Sequence, residues 1–316
     1  MTRRYRRIGC LSWGFILLAI LALLVGAAGF AAWRWSIENR SVALLDRVDS
    51  VFTGSRAGER FAYGDDPAQQ LLVYGANEGE TRPILVFFHG GSWADGSPGE
   101  YGFIARNFAP EGYVVVLAGY RLGTAGRFPA MLEDGAGAIA WAHEHAPEFG
   151  GDPERIVLMG HSAGAYIAAM LALDRQWLGR EGLDTGIVKG VVGLAGPYDF
   201  LPFDKPSTRN AFGHWPRPEA TQPIHFARGN APPMLLATGS VDDTVKPRNS
   251  AALARALAGT GAPVELVEFE GMGHIGLLVT LARPVDVWDR RASDTVLAFL
   301  RKTRDSGAAS APVQSR

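Results

Sequence analysis

The stretch with the clearest chemistry is Gly160-His161-Ser162-Ala163-Gly164, where a serine stands between small residues. An apolar run precedes it and an Ala- and Leu-rich run follows, a pattern that predicts a sharp strand-to-helix turn. Such a turn strains the serine backbone, which requires small neighbours, and it aims a helix N-terminus at the reacting carbonyl. The stretch predicts a nucleophilic Ser162; the alternative is a glycine-rich turn in which Ser162 only caps the helix.

A serine hydroxyl needs a base, and the base needs an orienting acid. Only three histidines follow the serine, and two of them, His214 and His225, lie in an irregular stretch. The third, His274, stands in a glycine-flanked loop directly after the last predicted strand. For the acid, Asp242 and Asp243 both follow the preceding strand, and the spacing alone leaves both open. Loops at the carboxyl ends of parallel strands meet at one edge, so we expect these groups to converge.

A tetrahedral intermediate also needs preorganised N–H donors for its oxyanion. Gly90 and Gly91 follow the predicted strand Arg82–Phe88, and Ala163 follows the serine. We expect the main-chain amides of these three residues to form the oxyanion site. Neither a P-loop nor a dinucleotide-binding glycine pattern is present, and we expect no metal and no organic cofactor.

Strands alternate with helices along the chain, which predicts an α/β fold with a mostly parallel, doubly wound sheet. We expect a linker at 36–60, one catalytic domain at 61–304, a last helix near 284–301 and a disordered tail at 305–316. Residues 197–229 form a long irregular insertion, which predicts a lid-like segment. Its aromatic residues are expected to shape the substrate pocket; they are Phe200, Phe203, Phe212, Trp215 and Phe226.

The N-terminal segment, residues 1–35, has a different character. Four arginines precede an uncharged run at 8–33, and about 25 helical residues at roughly 1.5 Å each exceed the thickness of a bilayer core, about 30 Å. This predicts a single transmembrane helix with the catalytic domain extracytoplasmic. The alternative is a signal sequence that is cleaved to give a secreted or periplasmic protein.

The segment through residue 33 holds four of the 31 basic residues and none of the 32 acidic ones, so the remainder carries a net charge of about −5. A basic face for nucleic acid is therefore not expected. Cys10 is the only cysteine, which excludes a disulfide within the chain and a cysteine-based metal site.

From about residue 70 to 300 the chain resembles the α/β-hydrolase superfamily. The similarity is to the esterase/lipase group with an HGG oxyanion loop, which includes feruloyl-esterase-like, kynurenine-formamidase-like and hormone-sensitive-lipase-like enzymes. The matching residues are His89-Gly90-Gly91-Ser92-Trp93, Tyr120-Arg121, Phe128-Pro129-Ala130 with Glu133-Asp134, Phe149-Gly150-Gly151-Asp152-Pro153, Gly160-His161-Ser162-Ala163-Gly164, Gly239 with Asp242 and Val245, and Gly273-His274.

The resemblance implies a nucleophile at Ser162, a base at His274 and an acid at Asp242 rather than Asp243. Trp93 stands where hormone-sensitive-lipase relatives more often carry a third glycine. This is closer to the feruloyl-esterase and formamidase pattern, and it implies a substrate-binding position and substrates smaller than bulky lipids.

The sequence therefore predicts a serine hydrolase that cleaves small or medium carboxylic esters through an acyl-enzyme. An amide hydrolase, either a formamidase or a peptidase, would use the same triad. A membrane-tethered binding protein that has lost catalysis is the alternative from another class. The expected partners are an ester substrate and the membrane; the sequence leaves the oligomeric state open.

Overall fold

The structure is a computed structural model that describes residues 42–54, 57–75, 81–283 and 289–308, with seven positions between 16 and 26. The chain divides into two compact units, Met1–Ser41 and Val42–Arg316, and every candidate catalytic residue belongs to the second. Most of the predicted anchor lies outside the described residues. Within the described part, no helix has the length and apolarity that crossing a bilayer requires. The transmembrane helix stays a prediction.

The second unit is built on one eight-stranded sheet with the strand order β1-β2-β4-β3-β5-β6-β7-β8. The strands are β1 (Glu59–Ala62), β2 (Gln70–Tyr74), β3 (Arg82–Phe88), β4 (Val114–Ala118), β5 (Gly151–His161), β6 (Val188–Leu194), β7 (Met234–Gly239) and β8 (Val264–Phe269). The pairs β1–β2 and β2–β4 are antiparallel, and every pair from β4 to β8 is parallel. The predicted mostly parallel sheet is confirmed.

Helices occupy the connections between the strands. The α-helices are α1 (Val42–Thr53), α2 (Gly102–Phe108), α3 (Ala130–His145), α4 (Ala163–Leu173), α5 (Gln176–Arg180), α6 (Pro206–Phe212), α7 (Arg248–Thr260), α8 (Gly276–Val279) and α9 (Arg291–Ala308). Shorter 3-10 helices lie at Pro98–Glu100, Ala109–Glu111, Ala146–Phe149, Thr185–Ile187, Pro218–Thr221 and Pro223–Phe226. Helix α6 and two of the 3-10 turns lie within the predicted lid-like insertion.

The centre of the sheet explains its apolar strand sequences. Every residue of β4 is buried, and so is every residue of β3 except the first. Helix α4 is buried along its whole length, which is why it is apolar on all sides rather than along one stripe. Strand β8, at the edge of the sheet, leaves three of its six residues exposed. The core therefore lies under α4 and the central strands.

The strand order reverses its direction between β3 and β5. The chain leaves β3 for β4 on one side, and it leaves β5 for β6 on the other. Loops that diverge in this way open a crevice at the carboxyl ends of the strands, where ligands bind in open α/β sheets. The loops after β3 and β5 are the ones that carry the predicted oxyanion glycines and the predicted nucleophile.

Helix α1 lies within the linker predicted at 36–60, and it packs on the catalytic unit. Arg106 on α2 forms ion pairs with Asp46 at 2.6 Å and with Asp49 at 2.5 Å. Asp49 is fully buried and also accepts a hydrogen bond from the Arg283 amide. A polar-apolar pattern gives a helix but does not reveal that its acidic residues meet a buried arginine.

Helix α9 spans Arg291–Ala308 and so covers residues 305–308 of the predicted disordered tail. Residues 284–288 of the predicted last helix lie outside the described residues. Val296, Leu300 and Thr303 are buried at spacings of four and three residues. This buried face stabilises the helix beyond the point where the composition alone predicts disorder.

Candidate active site

Ser162 lies at the turn between β5 and α4, with φ 55° and ψ −118°. Its amide donates to the Leu194 carbonyl at 2.8 Å, which ties the turn to the neighbouring strand. A Cβ on Gly160 would lie 2.3 Å from the Gly164 carbonyl carbon, and one on Gly164 would lie 2.0 Å from the Phe88 carbonyl oxygen. Both contacts are with backbone that cannot move aside. The glycines are therefore required for α4 to turn back over the strand ends.

His274 and Asp242 meet above the carboxyl edge of the sheet. The His274 Nδ1 and Asp242 Oδ2 atoms lie 2.7 Å apart. Asp242 is buried, and its other oxygen accepts the main-chain amides of Thr244 at 2.9 Å and Val245 at 2.8 Å. Asp243 is exposed. Of the two adjacent carboxylates, only Asp242 contacts the histidine, because the turn after β7 directs the two side chains to different sides.

The histidine loop reaches the serine turn through His161, the residue before Ser162. The His161 Nε2 atom lies 3.0 Å from the His274 carbonyl oxygen, and the two rings have centroids 4.7 Å apart. In the described residues, no hydrogen bond joins the Ser162 hydroxyl to the His274 imidazole. Such bonds are often long without substrate. The structure places the His274 loop against His161, the neighbour of Ser162 in the chain.

The loop after β3 adopts backbone conformations that favour glycine. Three successive residues have positive φ, namely Gly91 at 122°, Ser92 at 55° and Trp93 at 59°. A Cβ on Gly91 would lie only 1.8 Å from the Asp95 carbonyl oxygen. The loop is therefore tightly turned, and its main chain lies open at the predicted oxyanion position.

The predicted oxyanion donors differ in availability. The Gly90 amide donates to the buried Tyr101 hydroxyl at 3.1 Å, so the prediction of Gly90 as an oxyanion donor does not fit this structure. The Gly91 amide has no acceptor among the described residues. Ala163 is the first residue of α4, where an amide has no partner within the helix. Of the three predicted donors, Gly91 and Ala163 thus have amides without a main-chain acceptor among the described residues, and no sequence signal identifies Tyr101 as the partner of Gly90.

A cleft of about 320 Å³ opens over Ser162. Its lining combines the two strand-end loops with the insertion and the turn after β7; among these residues are Ser92, Trp93, Ser162, Ala163, Pro197, Phe200, Leu201, Pro202, Asp243, Val245, Lys246 and Arg248. The lining therefore combines apolar side chains with charged ones, which come from the insertion at Asp204 and Lys205 as well as from the region after β7.

The aromatic residues predicted to shape the pocket take different positions. Phe200 lines the cleft, and Phe212 packs behind it with ring centroids 5.3 Å apart. Trp93 is only 4% exposed and packs with the same rings, in edge contact with Phe212 at 4.8 Å and with Tyr166 of α4 at 5.5 Å. Trp93 therefore forms a rigid wall of the cleft.

The remaining histidines after the serine do not join the site. His214 contacts the Phe128 carbonyl through Nε2 at 2.8 Å, which anchors the insertion to the start of α3. Neither His225 nor His274 lines the cleft, but the His225 side chain contacts no carboxylate among the described residues. Of the three histidines that sequence spacing offered as a base, only His274 lies beside a carboxylate at the edge that bears the serine.

Comparisons with known proteins agree with this geometry. A family model described as BD-FAE matches residues 72–257, more than half of the chain. The chain is 33% identical to esterase LipC of Mycobacterium tuberculosis over 237 residues, which are 68% of this chain and 59% of LipC. It therefore spans about 59% of the length of that relative.

Two solved structures show the same architecture. The apo form of Thermogutta terrifontis esterase 2 is 26% identical with a TM-score of 0.66, covering 81% of this chain and 97% of that one. A truncated carbohydrate esterase from gut microbiota has a TM-score of 0.69 at 19% identity, covering 80% and 98%, and shows the fold alone. The predicted α/β-hydrolase fold and the resemblance to the esterase/lipase group are confirmed.

Proposed function

The chain belongs to the BD-FAE family of α/β-hydrolases, and we propose that it is a serine hydrolase that cleaves carboxylic esters through an acyl-enzyme. The observation that carries this proposal is the His274–Asp242 contact of 2.7 Å at the sheet edge that bears Ser162. A neutral imidazole with one nitrogen held by a buried carboxylate presents the other nitrogen as a base. Ester hydrolysis is also the activity named for LipC and for Thermogutta terrifontis esterase 2.

In the first half-reaction, the Ser162 oxygen attacks the ester carbonyl carbon while His274 Nε2 takes the hydroxyl proton. Asp242 holds His274 Nδ1–H and stabilises the imidazolium that forms. The Thr244 and Val245 amides donate to the other oxygen of Asp242 and hold the carboxylate in this orientation. The proton therefore stays on the imidazole.

The carbonyl oxygen becomes an oxyanion, which accepts hydrogen bonds from the main-chain amides of Gly91 and Ala163. The N-terminus of α4 adds a favourable dipole at the same point. Collapse of the tetrahedral intermediate breaks the C–O bond, and His274 gives its proton to the departing alcohol. Water then repeats the sequence on the acyl-enzyme, which releases the acid and restores the serine.

We propose that the acyl group is short. The cleft of about 320 Å³ is bounded by Trp93 and Phe200 close to the serine, and the aromatic packing behind Trp93 resists expansion. The structures of Thermogutta terrifontis esterase 2 with propionate and with butyrate bound support a short acyl group. Small or medium esters fit this space better than long-chain lipids.

We further propose that residues 1–35 anchor the protein in a membrane, with the catalytic unit on the extracytoplasmic side. The support is the arginine cluster ahead of the apolar run at 8–33. Protease protection of a C-terminally tagged chain in sealed spheroplasts tests this. A tag that proteases reach without lysis agrees with the proposal, and a soluble, N-terminally shortened protein contradicts the anchor.

The decisive test of the activity uses two serines with the same backbone angle, Ser162 and Ser92, both at φ 55°. We expect Ser162→Ala to lower kcat/KM for p-nitrophenyl butyrate by at least about 10⁴-fold, because no other group replaces the nucleophile. We expect Ser92→Ala to lower it by less than about tenfold. A fluorophosphonate probe should label wild type and Ser92→Ala but not Ser162→Ala. Equal hydrolysis by wild type and Ser162→Ala would refute the proposed function.

A further inference from the structure

His161 is a buried histidine that lies against two parts of the site, the loop of His274 and the loop after β3, and takes no part in the proton transfers of the proposed hydrolysis. It is 2% exposed and lies at the last position of β5. Its Nε2 atom lies 3.0 Å from the His274 carbonyl oxygen, and its ring lies against the His274 ring at an interplanar angle of 47°. The contact is thus with the main chain of the proposed base as well as with its side chain.

The partner of Nε2 fixes the tautomer of His161. A carbonyl oxygen only accepts hydrogen bonds, so Nε2 carries the proton and donates. Burial lowers the pKa of His161 well below its ordinary value, and the neighbouring His274 lowers it further. The Nδ1 atom is buried and has no partner among the described residues. His161 is therefore a neutral imidazole whose single N–H points at the loop of His274.

His161 also explains why residue 90 is glycine. A Cβ on Gly90 would lie 2.9 Å from His161 Nδ1, 3.2 Å from the His161 carbonyl oxygen and 3.3 Å from the Tyr101 hydroxyl. The glycine therefore leaves room for the imidazole, while its own amide is bound to Tyr101. His161 packs between the oxyanion loop and the loop of the base.

The loop that carries His274 is held by hydrogen bonds ahead of that residue. The Gly271 amide donates to Ser240 Oγ at 2.9 Å and the Val241 amide donates to the Met272 carbonyl at 3.1 Å, two residues before His274. Gly271 has φ 73°, and neither at Gly271 nor at Gly273 would an added Cβ meet any atom within 4 Å. Glycines with open space around them give the backbone wide conformational freedom. Asp242 holds the Nδ1 side of the His274 imidazole. The direction in which Nε2 points also depends on the position of the His274 main chain.

We propose that His161 is a positioning residue that holds the His274 main chain by the Nε2–H donation and thereby aims the imidazole at Ser162. This rests on the proposed function, because it assigns His161 a part in the same hydrolysis. A misplacement of about 1 Å in a catalytic group lowers the rate by about 10²-fold, so one lost tether is enough to be measured.

The test uses the full chain and three substitutions that separate the tether from the volume of the ring. His161→Gln places an amide nitrogen where Nε2 lies and preserves a donor to the His274 carbonyl. His161→Asn places its polar group near the position of Nδ1 and does not reach that carbonyl. His161→Leu fills space without a donor. Hydrolysis of p-nitrophenyl butyrate gives kcat and KM for each variant, with thermal midpoints measured in parallel.

We expect His161→Asn and His161→Leu to lose about 10- to 100-fold in kcat with KM changed less than about threefold, and His161→Gln to stay within about threefold of wild type. Equal losses in all three variants, or wild-type kcat in Asn and Leu, would overturn the tether. Ser162→Ala run alongside keeps the two proposals apart, because hydrolysis by that variant contradicts the proposed function whatever His161 does.

A measurement on the wild-type chain needs only the His161→Gln variant, for assignment. Nitrogen-15 NMR of labelled histidine distinguishes the two neutral imidazole tautomers, and His161→Gln identifies the resonance by its loss. We expect the Nε2–H tautomer at neutral pH. A proton on Nδ1 alone would overturn the proposal, since Nε2 could then not donate to the His274 carbonyl.

Discussion

Strands β3 and β5 end side by side, with Phe88 opposite Gly160 in the parallel register. Each strand is followed or closed by a buried histidine, His89 or His161, and each leads into a serine with φ 55°. The two strand ends are therefore similar in residue types and in backbone strain. They differ in what surrounds them, and that difference accounts for the proposed chemistry.

The two serines are set in different surroundings. Ser162 is 7% exposed and opens the 11-residue helix α4, whose first amides face the same point as its hydroxyl. Ser92 is exposed and belongs to a turn in which the Gly91 carbonyl accepts the Ala94 and Asp95 amides at 3.0 Å. A strained serine becomes a nucleophile only where a helix N-terminus and a base converge on it.

The two histidines also have different partners. His89 stacks on Tyr120 at a centroid distance of 4.4 Å, and its Nδ1 contacts the Gly90 carbonyl of its own loop at 2.7 Å. His161 contacts the loop of His274, which arrives from β8. The end of β3 is held by its own loop and by Tyr101 and Tyr120, whereas the end of β5 is tied to the loop of the proposed base. Catalysis is proposed only at the second.

The largest effect is expected from removing the carboxylate that holds the proposed base, because only the strand end at β5 has such a base beside its serine. In Asp242→Asn, the amide no longer stabilises an imidazolium and favours the wrong tautomer of His274, so we expect kcat to fall by about 10⁴-fold. Asp243→Asn, at the adjacent exposed position, should change kcat by less than about threefold. Steady-state kinetics on p-nitrophenyl butyrate measures both. Comparable losses in the two variants would contradict the assignment of Asp242.

A smaller effect tests the feature that the ends of β3 and β5 share, which is close packing of backbone against glycine. We expect Gly91→Ala and Gly164→Ala each to lower the free energy of unfolding by about 3 kcal/mol, because the added Cβ would lie 1.8 Å and 2.0 Å from backbone oxygens.

The matched control for these two variants is Gly179→Ala in α5, where an added Cβ meets nothing within 4 Å. It should be neutral or stabilise the protein by roughly 0.5–1 kcal/mol. Urea unfolding measures all three. An unfolding midpoint like that of wild type for Gly91→Ala would show that the loop after β3 relaxes more easily than the turn after β5.

The smallest predicted effect concerns the buried histidine that follows β3. Burial lowers the pKa of His89 from 6.5 to about 4, since the charged ring would lose its hydration. Between pH 6.5 and about 4, His89 is therefore protonated in the unfolded chain and neutral in the folded chain. The stability that neutral His89 contributes is full above pH 6.5 and is lost as the pH falls toward 4.

From pH 7.5 to 5, His89 should reduce the free energy of unfolding by about 2 kcal/mol. Denaturant titrations at the two pH values measure this, and in His89→Asn the pH-dependent loss should shrink by that amount. His161 acts in the same direction, so His161→Gln should shrink it as well. A pH dependence that neither variant alters would show that other groups dominate.

Much of the fold follows from local sequence pattern. Gln70–Tyr74, Arg82–Phe88 and Ala163–Leu173 have the bounds that the apolar runs and glycine punctuation predict. Buried parallel strands and a buried central helix leave continuous apolar runs, which is a strong signal. The helix at Val42–Thr53 and the extension of the last helix to Ala308 gave weaker signals, because they depend on partners distant in sequence.

The sequence by itself determined the types of group available: a serine between glycines, a histidine between glycines, two adjacent carboxylates and an HGG loop, in an order typical of one superfamily. Tertiary structure decided which of them meet. In the fold, Asp242 points inward and Asp243 outward, and the Gly90 amide is hydrogen-bonded to the Tyr101 hydroxyl. The fold also places His161 against the loop of His274. Hydrogen bonds between segments distant in sequence are directional and leave no periodic trace along the chain, so only the folded structure selects them.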